Sequence, residues 1–303
     1  MRRARLRQFQ ARVRQLRKDR KEEQEVEQLT AEIAKVQKEI DAQKGIDFFN
    51  ADQGIVRLDV GGGEESKKTH RTLSTAEMLA ERKPQEWLFA NVLTKNEPAV
   101  IVGPSKTLKS SLAVDLCAAL VSGDKFLGEF AAEKMFRVGF VGANDKQTQL
   151  ADLAARWSAA REENRSLENL QWYMTGEEPA APENLESLRK WIEKFELEVV
   201  VIDPLRLGST NKRKQAEAIA ALVACISKAG ATPILCVQTR KEMKPGKLDA
   251  SILAGSLDFA QQWLMVNRRE AYQCGSGLHK LWFSIGGYAG QGGEWGVDVD
   301  EGK

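Results

Sequence analysis

Gly103-Pro104-Ser105-Lys106-Thr107-Leu108-Lys109-Ser110-Ser111 follows the apolar run Ala99 to Val102 and precedes a second apolar stretch, Leu112 to Val121. That order predicts a buried strand, a tight turn and a helix, the context of the phosphate-binding pattern G-x-x-x-x-G-K-[ST]. In such a loop the backbone amides and the positive end of the following helix cradle a phosphate chain. Lys109 is then placed to reach the β- and γ-phosphates, and the Ser110 hydroxyl to ligate Mg²⁺. One position departs from the pattern: Leu108 stands in place of the second glycine, where a side chain restricts the backbone and crowds the approach to phosphate.

Outward from this loop the chain repeats an apolar strand, a turn and a helix, which predicts a mainly parallel sheet covered on both faces. Strands are expected near Ala99 to Val102, Arg137 to Val141, Leu170 to Met174, Val199 to Ile202 and Pro233 to Val237. Helices are expected near Leu112 to Val121, Gln147 to Ala160, Glu183 to Phe195 and Gln215 to Lys228. Right-handed crossovers bring the loops after such strands to one edge, where a ligand is expected. The run Leu197-Glu198-Val199-Val200-Val201-Ile202-Asp203 ends a buried strand in a carboxylate. Asp203 suits the second half of a Mg²⁺ site opposite Ser110, although an aspartate at a strand end also caps loops. Beyond the core, Leu278 to Ile285 and Glu294 to Val299 alternate like the two arms of an antiparallel hairpin around a glycine-rich turn. His279 and Lys280 then fall either at exposed hairpin positions or at a contact with DNA or nucleotide.

These residues resemble the RecA-like P-loop ATPases, and within them the RepA-type branch of AAA family ATPases related to hexameric replicative helicases. The resemblance runs from about Trp87 to Glu294 and also rests on Trp87-Leu88, Gln238-Thr239-Arg240-Lys241, Gly255-Ser256 and Trp263-Leu264-Met265-Val266-Asn267-Arg268-Arg269. It implies an ATP- and Mg²⁺-dependent ATPase acting as a homo-oligomer, with a hexamer as one form, on nucleic acid, DNA before RNA. It also implies that Gln238 and Lys241 sense the γ-phosphate, and that Arg268 or Arg269 reaches a neighbouring subunit's nucleotide; a solvated basic turn is the other reading of that pair. Relatives place a water-polarising glutamate after the second strand, where this chain reads Gly142-Ala143-Asn144-Asp145. Asn144 can orient a water but cannot take its proton, so either Asp145 substitutes or hydrolysis is slow. A nucleotide-dependent scaffold or switch with little turnover is therefore the alternative to a motor.

Residues 1 to 45 differ in kind. They contain no proline and a single glycine, Gly45. Val26, Leu29, Ile33, Val36 and Ile40 recur in steps of three and four, the seam of a coiled coil, at roughly 1.5 Å of rise per residue. Its first twenty residues carry Arg2, Arg3, Arg5, Arg7, Arg12, Arg14, Arg17, Lys18 and Arg20 against the single acid Asp19, so this arm is expected to serve either oligomerisation or nucleic-acid contact. Residues 46 to 80 read as a linker and 81 to 303 as the RecA-like ATPase domain that the resemblance implies. The 45 basic and 43 acidic side chains of the 303-residue chain nearly cancel, which names no partner by itself. Hydrophobic residues at 42% and charged residues at 29% exclude wholesale disorder. Four dispersed cysteines and two distant histidines, His70 and His279, fit neither a disulfide framework nor a zinc site, and a reducing, cytoplasmic location is expected. No stretch approaches the roughly 18 apolar residues that cross a bilayer, so no membrane partner is expected.

Overall fold

The computed structural model describes residues 73–82, 84–160, 167, 169–205, 211–239, 244–253, 257–273 and 275–300, all in the second of the chain's two units, Thr72–Lys303. The expected coiled-coil arm lies outside these residues, as do Arg240, Lys241, Gly255, Ser256 and Cys274. A short helix, α1 (Thr75–Ala80), occupies the end of the stretch read as linker. Its start is fixed by Ser74, whose hydroxyl accepts from the Glu77 amide while the Glu77 carboxylate accepts from the Ser74 amide.

A small hairpin, β1 (Trp87–Phe89) and β2 (Leu93–Thr94), leads into the main sheet. The sheet strands, in chain order, are β3 (Ala99–Gly103), β6 (Val138–Ala143), β7 (Leu170–Thr175), β8 (Val199–Asp203), β9 (Thr232–Gln238), β10 (Gln262–Arg268), β11 (Leu278–Gly287) and β12 (Gly292–Asp300). A second small hairpin, β4 (Lys125–Phe126) and β5 (Phe130–Ala131), stands apart from them. The spatial order is β12-β11-β10-β3-β9-β8-β6-β7. From β10 to β7 every neighbour is parallel, and β11 and β12 add the expected antiparallel hairpin at one edge.

Burial alternates along the strands, because successive side chains leave a strand on opposite faces. Val199, Val201, Ile234 and Cys236 join the core beneath α2 (Lys109–Ser122) and α3 (Gln147–Ala159). Val200, Ile202 and Leu235 face the opposite layer, α4 (Pro182–Lys194) and α5 (Lys212–Lys228). The helix α2 is buried almost continuously from Leu112 to Val121, as befits the helix beneath the sheet's centre, and stops at Gly123 in the left-handed region. Deleting a large side chain from this layer, such as Phe140, costs about 3–5 kcal/mol.

One buried polar group ties the edge hairpin to the entrance of β3. The Gln262 side chain, fully buried, accepts from the Thr94 amide at 2.7 Å and donates to the carbonyls of Thr94 at 2.9 Å and Glu97 at 2.8 Å. Its oxygen also accepts from the Gln291 amide nitrogen at 3.2 Å, in the turn between β11 and β12.

Candidate functional site

The carboxyl ends of β3, β6, β8, β9 and β10 converge on one edge. Register sets Gly103 beside Gln238 and Gly142 beside Asp203, with β9 lying between the strands that carry the loop and the carboxylate. At Gly103 a Cβ would stand 2.2 Å from the Val266 carbonyl oxygen, so only glycine lets the loop leave β3 against β10.

The loop is held by its own side chains. Thr107, almost fully buried, donates its hydroxyl to the Pro104 carbonyl at 2.9 Å. The Lys109 ammonium folds back to donate to the carbonyls of Gly103, at 3.0 Å, and Pro104. Leu108 takes φ 59 and ψ 26, the left-handed conformation for which the motif ordinarily keeps a glycine, and its side chain packs on the core. Lys106 shares that region at φ 58. Each such non-glycine residue costs roughly 1–2 kcal/mol, which the surrounding bonds must offset.

Ser110, the second residue of α2, lines the same cleft as the Asp203 carboxylate, and its hydroxyl favours the charged form of that carboxylate. Burial pushes the Asp203 carboxyl above the usual carboxylate range, against the pull of that hydroxyl and of Lys109 and Lys146. Burial likewise lowers the Lys109 ammonium, with Asp203 among the groups opposing it. These charges border a cleft of about 470 Å³ lined by the loop residues Lys106 to Ser111 and by Lys146, Gln149, Arg156, Asp203 and Gln238. A second cavity of about 540 Å³ shares Leu108, Ser111, Leu153 and Arg156 with it and extends toward Trp157 and β12.

Residues 64–244 match the AAA domain family, which covers more than half of the chain. The chain belongs to that family. No curated protein matches the sequence. An AAA domain is a P-loop ATPase module, and the mostly parallel sheet with helices on both faces is the fold such a module requires.

Within this AAA domain the sequence-expected residues fall as follows. Ser105 and Lys106 are exposed at the loop's crest, and Pro104 is buried beneath it. Gln238 lines the cleft from the end of β9. Asn144 and Asp145 occupy a single 3₁₀ turn after β6, both exposed, and the cleft is lined by Lys146 from the same turn rather than by either of them. Lys146, Gln149 and Arg156 belong to none of the sequence motifs. The available signal was the helical spacing of Gln149, Leu153 and Arg156, which puts them on one face of α3.

Arg268 and Arg269 part company at the end of β10. Arg268 donates to the Lys106 carbonyl of its own chain, and Arg269 pairs with Asp298 and lies over the Trp282 ring. His279 corrects an expectation: it is buried, not exposed, and its ring stacks on Tyr272 at 4.6 Å between centroids. The reason is strand parity, since His279 alternates with Lys280 and shares its face with the buried Leu281, Phe283 and Ile285. Among the described residues no group of three or more His, Cys, Asp or Glu is placed to hold a metal by itself, and no helix is long and apolar enough to cross a membrane.

Proposed function

We propose that this AAA domain binds ATP with Mg²⁺ at the carboxyl edge of its sheet, hydrolyses it, and works as a homo-oligomer on nucleic acid, DNA before RNA, in the manner of a RepA-type replication helicase. The observation that carries the nucleotide part is the cleft at the sheet's carboxyl edge, which Lys109, Ser110 and the buried Asp203 carboxylate line together. A hydroxyl and a carboxylate from facing elements are the oxygen donors a hard cation takes, and a buried aspartate above its usual range gains most when a cation arrives. Ser110 and Asp203 would hold Mg²⁺, which when bound neutralises charge on phosphate oxygens.

In this reading the loop amides from Ser105 to Ser111 and the start of α2 receive the phosphate chain. Lys109 leaves its carbonyl partners for the β- and γ-phosphates, and Lys146 and Arg156 add positive charge along the cleft. Gln238, at the end of β9, orients the terminal phosphate or the water beside it. The nucleoside extends into the adjoining cavity bordered by Leu153 and Trp157. Titrating the purified full chain with Mg²⁺ and ATP, with and without single-stranded DNA, tests this, with Lys109→Ala as the control. Hydrolysis raised by DNA supports a motor.

A second reading has its own observation. Among the described residues lining the 470 Å³ cleft Asp203 is the single carboxylate, so no second acid stands ready to take a proton from an attacking water. A nucleotide-dependent switch that binds tightly and turns over slowly fits that lining. Asn144→Glu separates the two: a large gain in hydrolysis supports the switch, and a loss shows that Asn144 already serves a working site.

A further inference from the structure

The phosphate loop carries two left-handed non-glycine residues, Lys106 and Leu108, on either side of Thr107. Two of the side chains that bond its carbonyls, Thr107 and Lys109, belong to the loop itself. A third bond comes from outside. Arg268, half-buried at the end of β10, donates one guanidinium nitrogen to the Lys106 carbonyl, while its other terminal nitrogen stands 3.2 Å from His279 Nδ1.

The guanidinium is braced by two stacked rings. Its carbon lies 4.8 Å from the centre of the Tyr272 ring, and that ring stacks on His279 at an interplanar angle of 7°. The backbone beneath it is fixed as well: the Gly246 amide donates to the Arg268 carbonyl at 2.8 Å and the Arg269 amide to the Lys280 carbonyl at 2.8 Å. Next to it, the Asn267 side chain donates to the carbonyls of Lys244 and Gly246. A planar fork held against one aromatic ring and one imidazole is a rigid donor, and its target is the loop's crest.

We propose that Arg268 is a positioning residue acting in its own chain: braced by Tyr272 and His279, it holds the Lys106 peptide so that the loop is preformed for the phosphate chain. This inference builds on the nucleotide-binding reading of the loop and departs from the expectation that Arg268 reaches a neighbouring subunit. The commitment of both its terminal nitrogens within one chain carries it. An arginine reserved for a neighbour's nucleotide has no need of a partner on its own loop.

The test uses full-length protein with Arg268→Ala, Arg268→Lys and Tyr272→Ala. Hydrogen exchange is measured without nucleotide at the amides of residues 105–110, and Mg²⁺–ATP affinity and kcat are measured separately. Exchange at those amides is expected to quicken about 10-fold or more in Arg268→Ala, the loss of one charge-assisted bond, and the nucleotide Kd to rise by a similar factor while kcat at saturation holds within about threefold. Arg268→Lys keeps the charge and loses the fork, so it is expected to follow the alanine variant rather than the wild type. Tyr272, 38% exposed, can be replaced without opening the core, and its alanine variant is expected to shift both readouts in the same direction by a smaller factor.

Unchanged loop exchange in Arg268→Ala overturns the proposal. So does a collapse of kcat at unchanged Kd, or restored hydrolysis when Arg268→Ala subunits are mixed with Lys109→Ala subunits, since either marks an arginine acting between subunits. The exchange measurement needs no nucleotide, so a wild type that fails to bind ATP sinks the functional reading while leaving this inference to be decided by the loop itself.

Discussion

Ser110, in the first turn of α2, and Asp203, at the end of β8, line one cleft although β9 separates β8 from the strand that leads into α2. Neither residue is a neighbour of the other in sequence or in the sheet, and they share the cleft because the loop after β3 and the end of β8 reach the same edge. Burial holds the Asp203 carboxyl above the ordinary aspartate range, so in that window the native protein keeps a proton that the unfolded chain has lost. The stability Asp203 contributes is therefore full at pH below the unfolded value and falls as pH rises through the raised folded value. Asp203→Asn removes this slope, leaves an oxygen for Ser110, and is expected to stabilise the nucleotide-free protein at pH 7 by on the order of 1 kcal/mol while abolishing Mg²⁺-dependent nucleotide binding. Urea unfolding at several pH values, paired with binding measurements, checks both halves; a destabilised variant with intact Mg²⁺ dependence contradicts them.

Leu108 gives a prediction about order. Because the backbone there is left-handed, glycine relieves strain that alanine keeps, and alanine still gives up the leucine's packing on the core. Leu108→Ala is expected to be less stable than Leu108→Gly by about 1 kcal/mol, with the glycine variant binding nucleotide at least as tightly as wild type. Thermal unfolding of the two variants decides it, and the reverse order would mean that packing, not backbone strain, governs the site.

At Gly103 the space is already taken. The Cβ of Gly103→Ala would meet the Val266 carbonyl, a backbone atom that cannot swing aside, so β3 and β10 must part at the root of the loop. The variant is expected to lose about 2 kcal/mol or more and most of its nucleotide affinity. A fully stable, fully binding Gly103→Ala would show that the two strands separate there at no cost.

Gln262 sits far from the cleft and makes a stability claim only. Replacing it by leucine leaves the buried Thr94 amide and carbonyl and the half-buried Glu97 carbonyl without this partner, at a cost of about 3 kcal/mol. Nucleotide affinity measured well below the unfolding transition is expected to stay within about twofold of wild type.

Much of this fold is legible in the chain because its strands are buried on both faces and end in turn residues: Ala99 to Val102 and Val199 to Ile202 announce themselves as uninterrupted apolar runs. The loop is equally legible, since its chemistry is local to nine residues. What escapes such reading is whatever depends on strand order. That Arg268 meets Lys106 follows from β10 lying beside β3, a pairing between segments about 160 residues apart that periodicity does not report. That Lys146 rather than Asn144 or Asp145 lines the cleft follows from the tight turn after β6, which alters by one or two residues which side chain faces inward. The buried His279 was available from parity with Leu281 and Phe283 and was obscured by its polar character.

The most direct test of the account is calorimetric titration of the full chain with ATP in the presence of Mg²⁺, beside EDTA and Lys109→Ala controls. The account predicts saturable binding near one nucleotide per chain that disappears with EDTA and weakens at least tenfold in Lys109→Ala. Equal affinity in wild type and Lys109→Ala would contradict it, because the loop from Gly103 to Ser111 would then not be where the phosphates bind.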